Sequence, residues 1–366
     1  MNRTSKFLLI LFVAIGIYQI NFAQSDEGWA IEERCLPEPT TILPDGWSFE
    51  GTLILTSQYK IHTYRQEWET PRIIVQNTYP DIPNNGALSP DGKWFATVIG
   101  TRTQGQTLIS WDSSAIQITD TNTAEKYIVD WDNSFTALHS LYGHGLYWLP
   151  DNKLLYSMGG GSGGREFWHV IDPFTNTSIP WEGDFPLPIQ HFILSPNAQM
   201  RIYGGSEPEF RSDAFLYNGI EEIHLPTHPA YVFWHPNSTQ FASVVVAEPR
   251  VPIRYSLFDL EGIEIAFLAS IPEGIPARQF NNAWAHNGQY LLFHINRLYI
   301  ADIESKMLID PCIETPIGDV AWSSDNSKLA IVEDGKIQII DFNLWERFTA
   351  GYHTGGGVIG WRADDE

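Results

Sequence analysis

Leu88-Ser89-Pro90-Asp91-Gly92-Lys93 is the most complete copy of a short pattern that recurs through the chain. In each copy an aromatic or aliphatic anchor precedes a polar turn, and a run of apolar, strand-forming residues follows. The other anchors are Trp148, Leu194, Trp234, Trp284, Trp322 and, in a truncated copy, Trp361. The anchors lie 60, 46, 40, 50, 38 and 39 residues apart, close to the period of about 40 residues that is typical of propeller blades. The pattern predicts an all-β chain built from repeated blades.

Each repeat has the content of a four-stranded blade. The polar turn leads into a strand such as Phe241–Val246 or Tyr290–Ile295. A second strand ends in alternating apolar residues before an aspartate, as in Ile337-Gln338-Ile339-Ile340-Asp341. We expect this aspartate to open a turn, because its carboxylate can accept hydrogen bonds from nearby backbone N–H groups.

The first and last copies are incomplete in complementary ways. Trp47-Ser48-Phe49-Glu50-Gly51 stands in phase with the repeats but lacks an innermost strand, whereas Val358-Ile359-Gly360-Trp361 is an innermost strand without the rest of its blade. The C-terminal strand is therefore predicted to complete the N-terminal blade and close the ring. This gives seven blades, with six or eight as alternative counts. The predicted organisation is a signal peptide (1–23), an N-terminal arm (24–46) and a single propeller domain (47–366).

The turn and its following strands resemble the repeat of TolB-type and WD-repeat-like β-propellers of exported bacterial proteins. The copy at Leu88 carries the whole Ser-Pro-Asp-Gly-Lys string, and the Gly-His…Trp-Asp signature of eukaryotic WD repeats is absent. The resemblance covers residues 47–361 and implies a seven-bladed propeller of four-stranded blades. It does not imply an activity, because this fold hosts both binding proteins and enzymes. A periplasmic scaffold within an envelope complex is one role that the TolB-type resemblance suggests.

Charge and the N-terminal residues predict where the protein works. Arg3 and Lys6 precede an apolar stretch over residues 7–18, and Ala23 offers a small residue for cleavage, which is the pattern of a signal peptide. The sequence has 22 Lys and Arg against 44 Asp and Glu, a net charge of −22. Such a charge disfavours nucleic acid and anionic membranes as partners. We expect a secreted or periplasmic monomer that is not inserted in a membrane after signal cleavage.

Cys35 and Cys312 are the two cysteines of the chain. In an oxidising compartment such a pair is expected to form a disulfide. The bond would fasten the N-terminal arm to the ring, and two separate thiols are the alternative.

A polar residue stands three or four positions before each of six anchors. Innermost strands run up to the anchors, so these positions meet at one mouth of the central channel. The six residues are Asn85, His144, His191, Tyr231, Asn281 and Asp319. A convergent polar rim of this kind predicts a ligand site. Alternatively, the same groups bond neighbouring strands and channel water.

The loops between the second and third strands are predicted to lie on the same side and to be long in blades two to five. They carry the charged residues Arg102, Arg165, Glu166, Arg211 and Arg250. We interpret them as partner-binding loops, with solvated surface charge as the alternative.

No catalytic constellation stands out. There is no Gly-x-Ser-x-Gly elbow, and no spacing brings His144, His191 and Asp319 together as ligands, so neither a metal nor another cofactor is predicted. The leading hypothesis is a non-catalytic module that binds a protein, peptide or glycan. The competing hypothesis is a hydrolase or lyase at the channel mouth that uses His144 or His191 as general base.

Overall fold

The computed structural model describes residues 28–57, 60–76, 86–102, 111–129, 146–158, 167–180, 192–204, 214–225, 228–246, 253–271, 277–278, 280, 282–314, 318–353 and 355–364. The predicted signal peptide lies outside these residues. The described residues form 29 β-strands in seven sheets and no helix. Over these ranges, no helix is long and apolar enough to cross a membrane.

The seven sheets are the blades of a closed propeller, which confirms the predicted fold. Blade one contains β2 (Thr52–Ser57), β3 (Lys60–Tyr64), β4 (Arg72–Gln76) and β29 (Val358–Arg362). Blade two contains β5 (Gly86–Leu88), β6 (Trp94–Arg102), β7 (Trp111–Asp120) and β8 (Lys126–Val129). Blade three contains β9 (Leu146–Trp148), β10 (Leu154–Met158), β11 (Phe167–Asp172) and β12 (Thr177–Pro180). Blade four contains β13 (Phe192–Leu194), β14 (Arg201–Gly204), β15 (Ala214–Tyr217) and β16 (Glu222–Leu225).

The remaining blades follow in chain order, each from the innermost strand outward. Blade five contains β17 (His228–Trp234), β18 (Phe241–Val246), β19 (Ile253–Phe258) and β20 (Glu264–Ile271). Blade six contains β21 (Ala277–Arg278), β22 (Tyr290–Ile295), β23 (Arg297–Asp302) and β24 (Met307–Asp310), and β1 (Ala30–Glu33) of the arm adds a fifth strand. Blade seven contains β25 (Ala321–Trp322), β26 (Lys328–Glu333), β27 (Lys336–Asp341) and β28 (Glu346–Tyr352).

The C-terminal strand closes the ring, as predicted. β29 pairs antiparallel with β2 and brings Trp361 opposite Leu53. The Trp361 Nε1–H donates to the carbonyl of Glu50 at 2.8 Å, and the Val358 N–H donates to the carbonyl of Asp319 at 2.8 Å. The closing strand is therefore held by blade one and by the start of blade seven.

The repeated polar turn has one geometry in several blades. In blade two, the Ser89 hydroxyl donates to Asp91 Oδ1 at 2.6 Å and accepts from the Trp94 N–H at 2.9 Å. Ser195 in blade four and Ser323 in blade seven make the same two kinds of bond. The turn residues thus satisfy their own backbone groups, and the motif is structural.

The aspartate that ends the third strand opens a turn, as its position predicts. Its Oδ1 accepts hydrogen bonds from the backbone N–H groups of residues two, three or four positions further along the chain. This holds for Asp120, Asp172, Asp259, Asp302 and Asp341. In blade four Asn218 takes the same place.

The anchor tryptophans connect neighbouring blades. The indole N–H of Trp148 donates to Ala87 O at 2.9 Å, that of Trp234 to Ile193 O at 3.2 Å, and that of Trp284 to Phe233 O at 2.9 Å. Each accepting carbonyl stands just before the anchor of the preceding blade. In these three blades the anchor tryptophan therefore supplies both apolar area and a polar link to the preceding blade.

The apolar core lies between the blades. Six clusters of buried side chains lie among neighbouring blades, and the largest joins blades five, six and seven around residues such as Tyr255, Phe293 and Trp322. The face-to-face packing of successive sheets joins the blades into one ring.

The N-terminal arm runs along the outer edges of three blades. The Trp29 N–H donates to the carbonyl of Leu268 in blade five at 3.0 Å. β1 then pairs in parallel with β24 of blade six, and Thr40 bridges in parallel to Phe348 of blade seven.

A disulfide joins Cys35 of this arm to Cys312, which follows β24. The bond connects residues that are 277 positions apart in the sequence, and it fastens the arm to the ring as the cysteine pair predicts. Arg34 beside it lies over the ring of Trp345 at 4.1 Å, and the Trp345 N–H donates to the Arg34 carbonyl.

Candidate functional site

The two ends of the propeller differ in the length of their connections. We call the end with the turns between third and fourth strands the turn face, and those turns contain four to seven residues in every blade. The opposite end, the loop face, carries the connections between second and third strands. In blades one, six and seven these are residues 58–59, 296 and 334–335. In blades two to five they are residues 103–110, 159–166, 205–213 and 247–252, so the loop face is asymmetric as predicted.

Four of the six residues predicted at the channel mouth, Asn85, His144, His191 and Asn281, lie outside the described residues. Arg165, Glu166, Arg211 and Arg250 of the predicted loops do so as well. Arg102 is the last residue of β6, where it pairs with Trp111. The predicted loop and rim contacts at these positions remain predictions.

Tyr231 lies in the innermost strand of blade five, next to an irregularity in the pairing of β17 with β18. The residue stands opposite Val244 and is half-buried against the largest apolar cluster. Part of its ring therefore packs into the core, and the part that remains exposed is what a ligand can reach.

Asp319 lies at the start of the innermost strand of blade seven and contacts the closing segment. Its carbonyl accepts the Val358 N–H. A Cβ on Gly357 would come within 2.1 Å of the Asp319 backbone nitrogen, so only glycine allows the two segments to approach this closely. At this predicted rim position, the described contacts join blades seven and one.

The loop face also contains a histidine pair that the sequence pattern does not reveal. The rings of His62, on β3, and His353, after β28, lie edge to face with centroids 4.9 Å apart. His62 Nε2 is 3.0 Å from the Ser57 hydroxyl oxygen. His353 Nε2 donates to the carbonyl of Thr56 at 2.7 Å. The pair spans the junction of blades seven and one.

The electrostatics of this pair keep His62 neutral. Burial, with the nearby His353 and Lys60, lowers the pKa of His62 to about 4. The His62 Nδ1 is buried and has no hydrogen-bond partner among the described residues. A ring with this pKa is a weak base, whereas general-base catalysis works best with a pKa near the working pH. The Ser57–His62 contact therefore does not have the properties of an activated nucleophile.

Asn282 is a second residue that the sequence pattern missed, one position after the predicted Asn281. Its side-chain N–H group donates to the carbonyls of Val320 at 3.2 Å and Ile359 at 2.9 Å. These carbonyls belong to the innermost parts of blades seven and one, so Asn282 of blade six bonds to the next blade and to the blade beyond it. For this residue, the alternative role of polar residues at the channel mouth applies, namely hydrogen bonding between strands.

One group of three metal-ligating side chains occurs in the described part of the chain. It consists of Glu33, Cys35 and Cys312, whose ligand atoms lie within 4.8 Å of one another. Both sulfurs are shared in the disulfide, so they cannot act as the thiolates that a metal needs.

Comparisons with known proteins find similarity in structure. No protein-family model and no curated protein matches the sequence. An oligogalacturonate lyase from Vibrio parahaemolyticus is similar with a TM-score of 0.52 and 11% identity, over 82% of this chain and 87% of that chain. An oligogalacturonate lyase in complex with manganese is similar with a TM-score of 0.50 and 12% identity, over 75% and 79%.

The fold of this chain is a seven-bladed β-propeller. TolB from Acinetobacter baumannii matches over 86% of this chain with a TM-score of 0.43 and 13% identity. The chain spans 66% of that TolB chain, slightly less than two thirds of its length. The seven sheets themselves confirm the propeller fold that the resemblance of the repeats implies. Because a propeller hosts binding proteins and enzymes alike, the likeness assigns no activity.

Proposed function

We propose that this propeller is a non-catalytic module that binds a protein, peptide or glycan on its loop face in a secreted or periplasmic setting. The observation that carries the proposal is the asymmetry of that face. Long connections come from blades two to five and short ones from blades one, six and seven. A rigid scaffold with variable loops on one side is the usual arrangement of a binding surface.

The opposite end supports this choice, because its side chains are used to brace the ring. The Asn197 N–H donates to Ser238 Oγ at 3.2 Å, which connects the turns of blades four and five. The Asn287 N–H donates to Asn326 Oδ1 at 3.3 Å, which connects blades six and seven. These groups of the turn face are used within the ring, between neighbouring blades.

The contacts in this proposal come from the channel mouth and the loops. Asn85, His144, His191, Tyr231, Asn281 and Asp319 would form the rim, and Arg102, Arg165, Glu166, Arg211 and Arg250 would surround it. Cationic loop side chains on a chain of net charge −22 would recognise acidic groups locally, while the overall field keeps nucleic acid away.

A capture experiment tests the proposal. The mature protein is immobilised and exposed to extracellular and envelope extracts, and the bound material is identified. Combined substitution His144→Ala, His191→Ala and Tyr231→Ala should remove the captured partner. The matched control is His286→Ala with Ile220→Ala and Ile263→Ala, three exposed residues of the turn face. Equal capture by both triple variants would contradict the proposed site.

The alternative is a hydrolase or lyase that acts on a polysaccharide or small ester at the channel mouth. It would use His144 or His191 as general base, with or without a metal. Two structures with a similar fold are oligogalacturonate lyases, one of them in complex with manganese. Elemental analysis of the purified protein separates the two functions. A stoichiometric metal together with turnover of an oligosaccharide would favour the enzyme, and a metal-free protein that captures a partner would favour the binding module.

A further inference from the structure

The disulfide that fastens the arm lies at the surface beside a carboxylate. Cys35 is exposed and Cys312 is half-buried. Glu33 Oε1 lies 3.8 Å from Cys35 Sγ, and the ligand atoms of the three residues lie within 4.8 Å of one another. The sulfurs are not thiolates while they are bonded to each other. Once the bond is reduced, the same three side chains are two thiols and a carboxylate, which is a donor set that zinc accepts.

The exposure of Cys35 makes this bond accessible to a dithiol. A thiolate of the dithiol attacks the Cys35 sulfur, the bond to Cys312 breaks, and Cys312 leaves as a thiolate. The second thiolate of the dithiol then displaces Cys35 from the mixed disulfide. The products are two cysteine thiols and a cyclic disulfide, so the dithiol supplies both electrons and both protons. Exposed disulfides belong to the labile class that such exchange opens.

The main chain keeps Cys35 in place without the covalent bond. On one side of it, the Arg34 N–H donates to the carbonyl of Asp310 at 3.0 Å. On the other side, the Leu36 N–H donates to the carbonyl of Pro311 at 3.0 Å. The Leu36 side chain is also buried in the largest apolar cluster. Reduction therefore leaves Cys35 opposite the segment that follows β24.

Cys312 is fixed from its own side. Its N–H donates to Asp310 Oδ1 at 2.8 Å, and Asp310 Oδ2 accepts from the Arg297 guanidinium at 2.8 Å. The next residue, Ile313, is buried, and its carbonyl accepts from the Leu298 N–H at 3.0 Å. Contacts behind a ligand hold it ready for a metal. Both cysteines are thus positioned by groups that reduction does not change.

We propose that the reduced form of this protein binds one Zn²⁺ through Cys35, Cys312 and Glu33, so that a metal fastens the arm when the disulfide does not. Two Zn–S bonds of about 2.3 Å at a tetrahedral angle require sulfurs about 3.8 Å apart. The Cα atoms of the two cysteines are 4.8 Å apart, and rotation about their Cα–Cβ bonds allows that sulfur spacing. The carboxylate supplies the third ligand, and water completes the tetrahedron.

The donor set selects the metal. Thiolates favour soft, thiophilic ions over Mg²⁺ and Ca²⁺, and the carboxylate favours a divalent ion over Cu⁺. Each Zn²⁺ that binds displaces the protons of two thiols, which leave to solvent. The site lies beside the outer strand of blade six, and it is independent of the proposed binding surface on the loop face.

Metal titration of the full mature protein tests the proposal. The protein is reduced with a dithiol, freed of the reductant under argon, and titrated with Zn²⁺ in competition with a chromophoric chelator. A parallel titration with Cd²⁺ reports thiolate ligation through its charge-transfer absorption in the ultraviolet. We expect one metal per chain, release of two protons per metal, and no uptake by the oxidised protein.

Two neighbouring glutamates give a matched pair of variants that leave the cysteines intact. Glu33→Gln removes a ligand and should weaken Zn²⁺ binding by at least the roughly 10–100-fold that follows loss of an outer partner. Glu32→Gln lies on the other face of β1 and should leave the affinity unchanged. Equal affinities of the two variants would overturn the role of Glu33.

Proteolysis shows whether the metal fastens the arm. In the reduced protein, trypsin should cleave after Arg34 more slowly with Zn²⁺ than with a chelator. The double variant with Cys35→Ser and Cys312→Ser should show no effect of Zn²⁺, which controls for an effect on trypsin itself. The proposal would be overturned by a disulfide that resists millimolar dithiol in the folded protein, by equal metal uptake in both redox states, or by half a metal per chain.

Discussion

At the scale of the residue, the repeated turn imposes a left-handed backbone on its fourth position. The residues with this positive φ are Gly92 (70°), Asn152 (60°), Ala198 (58°), Ser238 (61°), Gly288 (74°) and Asn326 (61°). Glycine and asparagine adopt this region readily, whereas a residue with an ordinary Cβ pays for it in strain. Ala198 and Ser238 are therefore positions where the turn geometry prevails over residue preference.

This strain predicts opposite effects for two substitutions. Ala198→Gly should raise the free energy of unfolding by roughly 0.5–1 kcal/mol, because glycine relieves the left-handed strain at some cost in chain entropy. Gly92→Ala should lower it by about 1–2 kcal/mol, since its Cβ would also lie 3.0 Å from Arg362 Cβ. Urea denaturation of both variants measures the difference. A loss of stability in Ala198→Gly would contradict the argument.

The histidine pair predicts a pH dependence of stability. The pKa of His62 is lowered to about 4 in the folded state, while an unfolded histidine titrates near 6.5. Above the pKa of the unfolded histidine, His62 is neutral in both the folded and the unfolded state, so it adds no pH dependence to the free energy of unfolding. As the pH falls from about 6.5 to about 4, the unfolded state takes up the proton first, so the free energy of unfolding should fall by about 1–2 kcal/mol, less than the full pKa difference gives because solvent screens the half-buried His62.

The measurement is the free energy of unfolding at a series of pH values. His62→Gln should flatten the fall between about pH 6.5 and 4, and His286→Gln at an exposed turn is the matched control. If both variants keep the slope of the wild type, the destabilisation comes from other groups.

At the scale of the element, the arm is attached by main-chain pairing, by side chains such as Leu36 and Trp29 that pack on the core, and by one covalent bond. Its strand β1 is exposed, so the disulfide between Cys35 and Cys312 is the covalent part of the attachment of this segment. A double variant with Cys35→Ser and Cys312→Ser should lower the free energy of unfolding by roughly 2–5 kcal/mol. The arm should also open locally before the ring unfolds.

Limited proteolysis separates these two effects. Trypsin should cleave after Arg34 faster in the double variant and in reduced wild-type protein, while the blades stay intact. The double variant should be indifferent to added dithiol. Unchanged cleavage after reduction would mean that the main-chain pairing with β24 holds the arm without the disulfide.

The elements also show what the sequence can and cannot reveal. Local sequence patterns predict the turn after each anchor and the aspartate after each third strand, because both form their hydrogen bonds within a few residues. They also predict closure by Val358–Trp361, because the first blade lacks one strand and the last copy supplies it. The pairing of His62 with His353 has no such pattern. It depends on two connections of the loop face that meet only after the ring has closed.

At the scale of the whole molecule, closure depends on a close approach between the end of the chain and blade seven. A Cβ on Gly357 would lie 2.1 Å from the Asp319 backbone nitrogen, and neither backbone can yield cheaply. Gly355, two residues earlier, has a φ of 87° but no atom within 4 Å of an added Cβ. Substitution of Gly357 therefore tests steric crowding at this junction, and substitution of Gly355 tests the backbone conformation.

We expect Gly357→Ala to cost roughly 3 kcal/mol through overpacking, and Gly355→Ala to cost only about 1 kcal/mol through its left-handed backbone. Because β29 completes blade one, the first change should also expose β2 to exchange, with faster deuterium uptake at Leu53 and Ile54. Chemical denaturation and hydrogen exchange of both variants measure these effects. If Gly355→Ala proved the more harmful, the ring would be limited by the conformation of the closing segment. If Gly357→Ala opens blade one as expected, the histidine pair should separate with it, because His62 and His353 stand on the two sides of that junction.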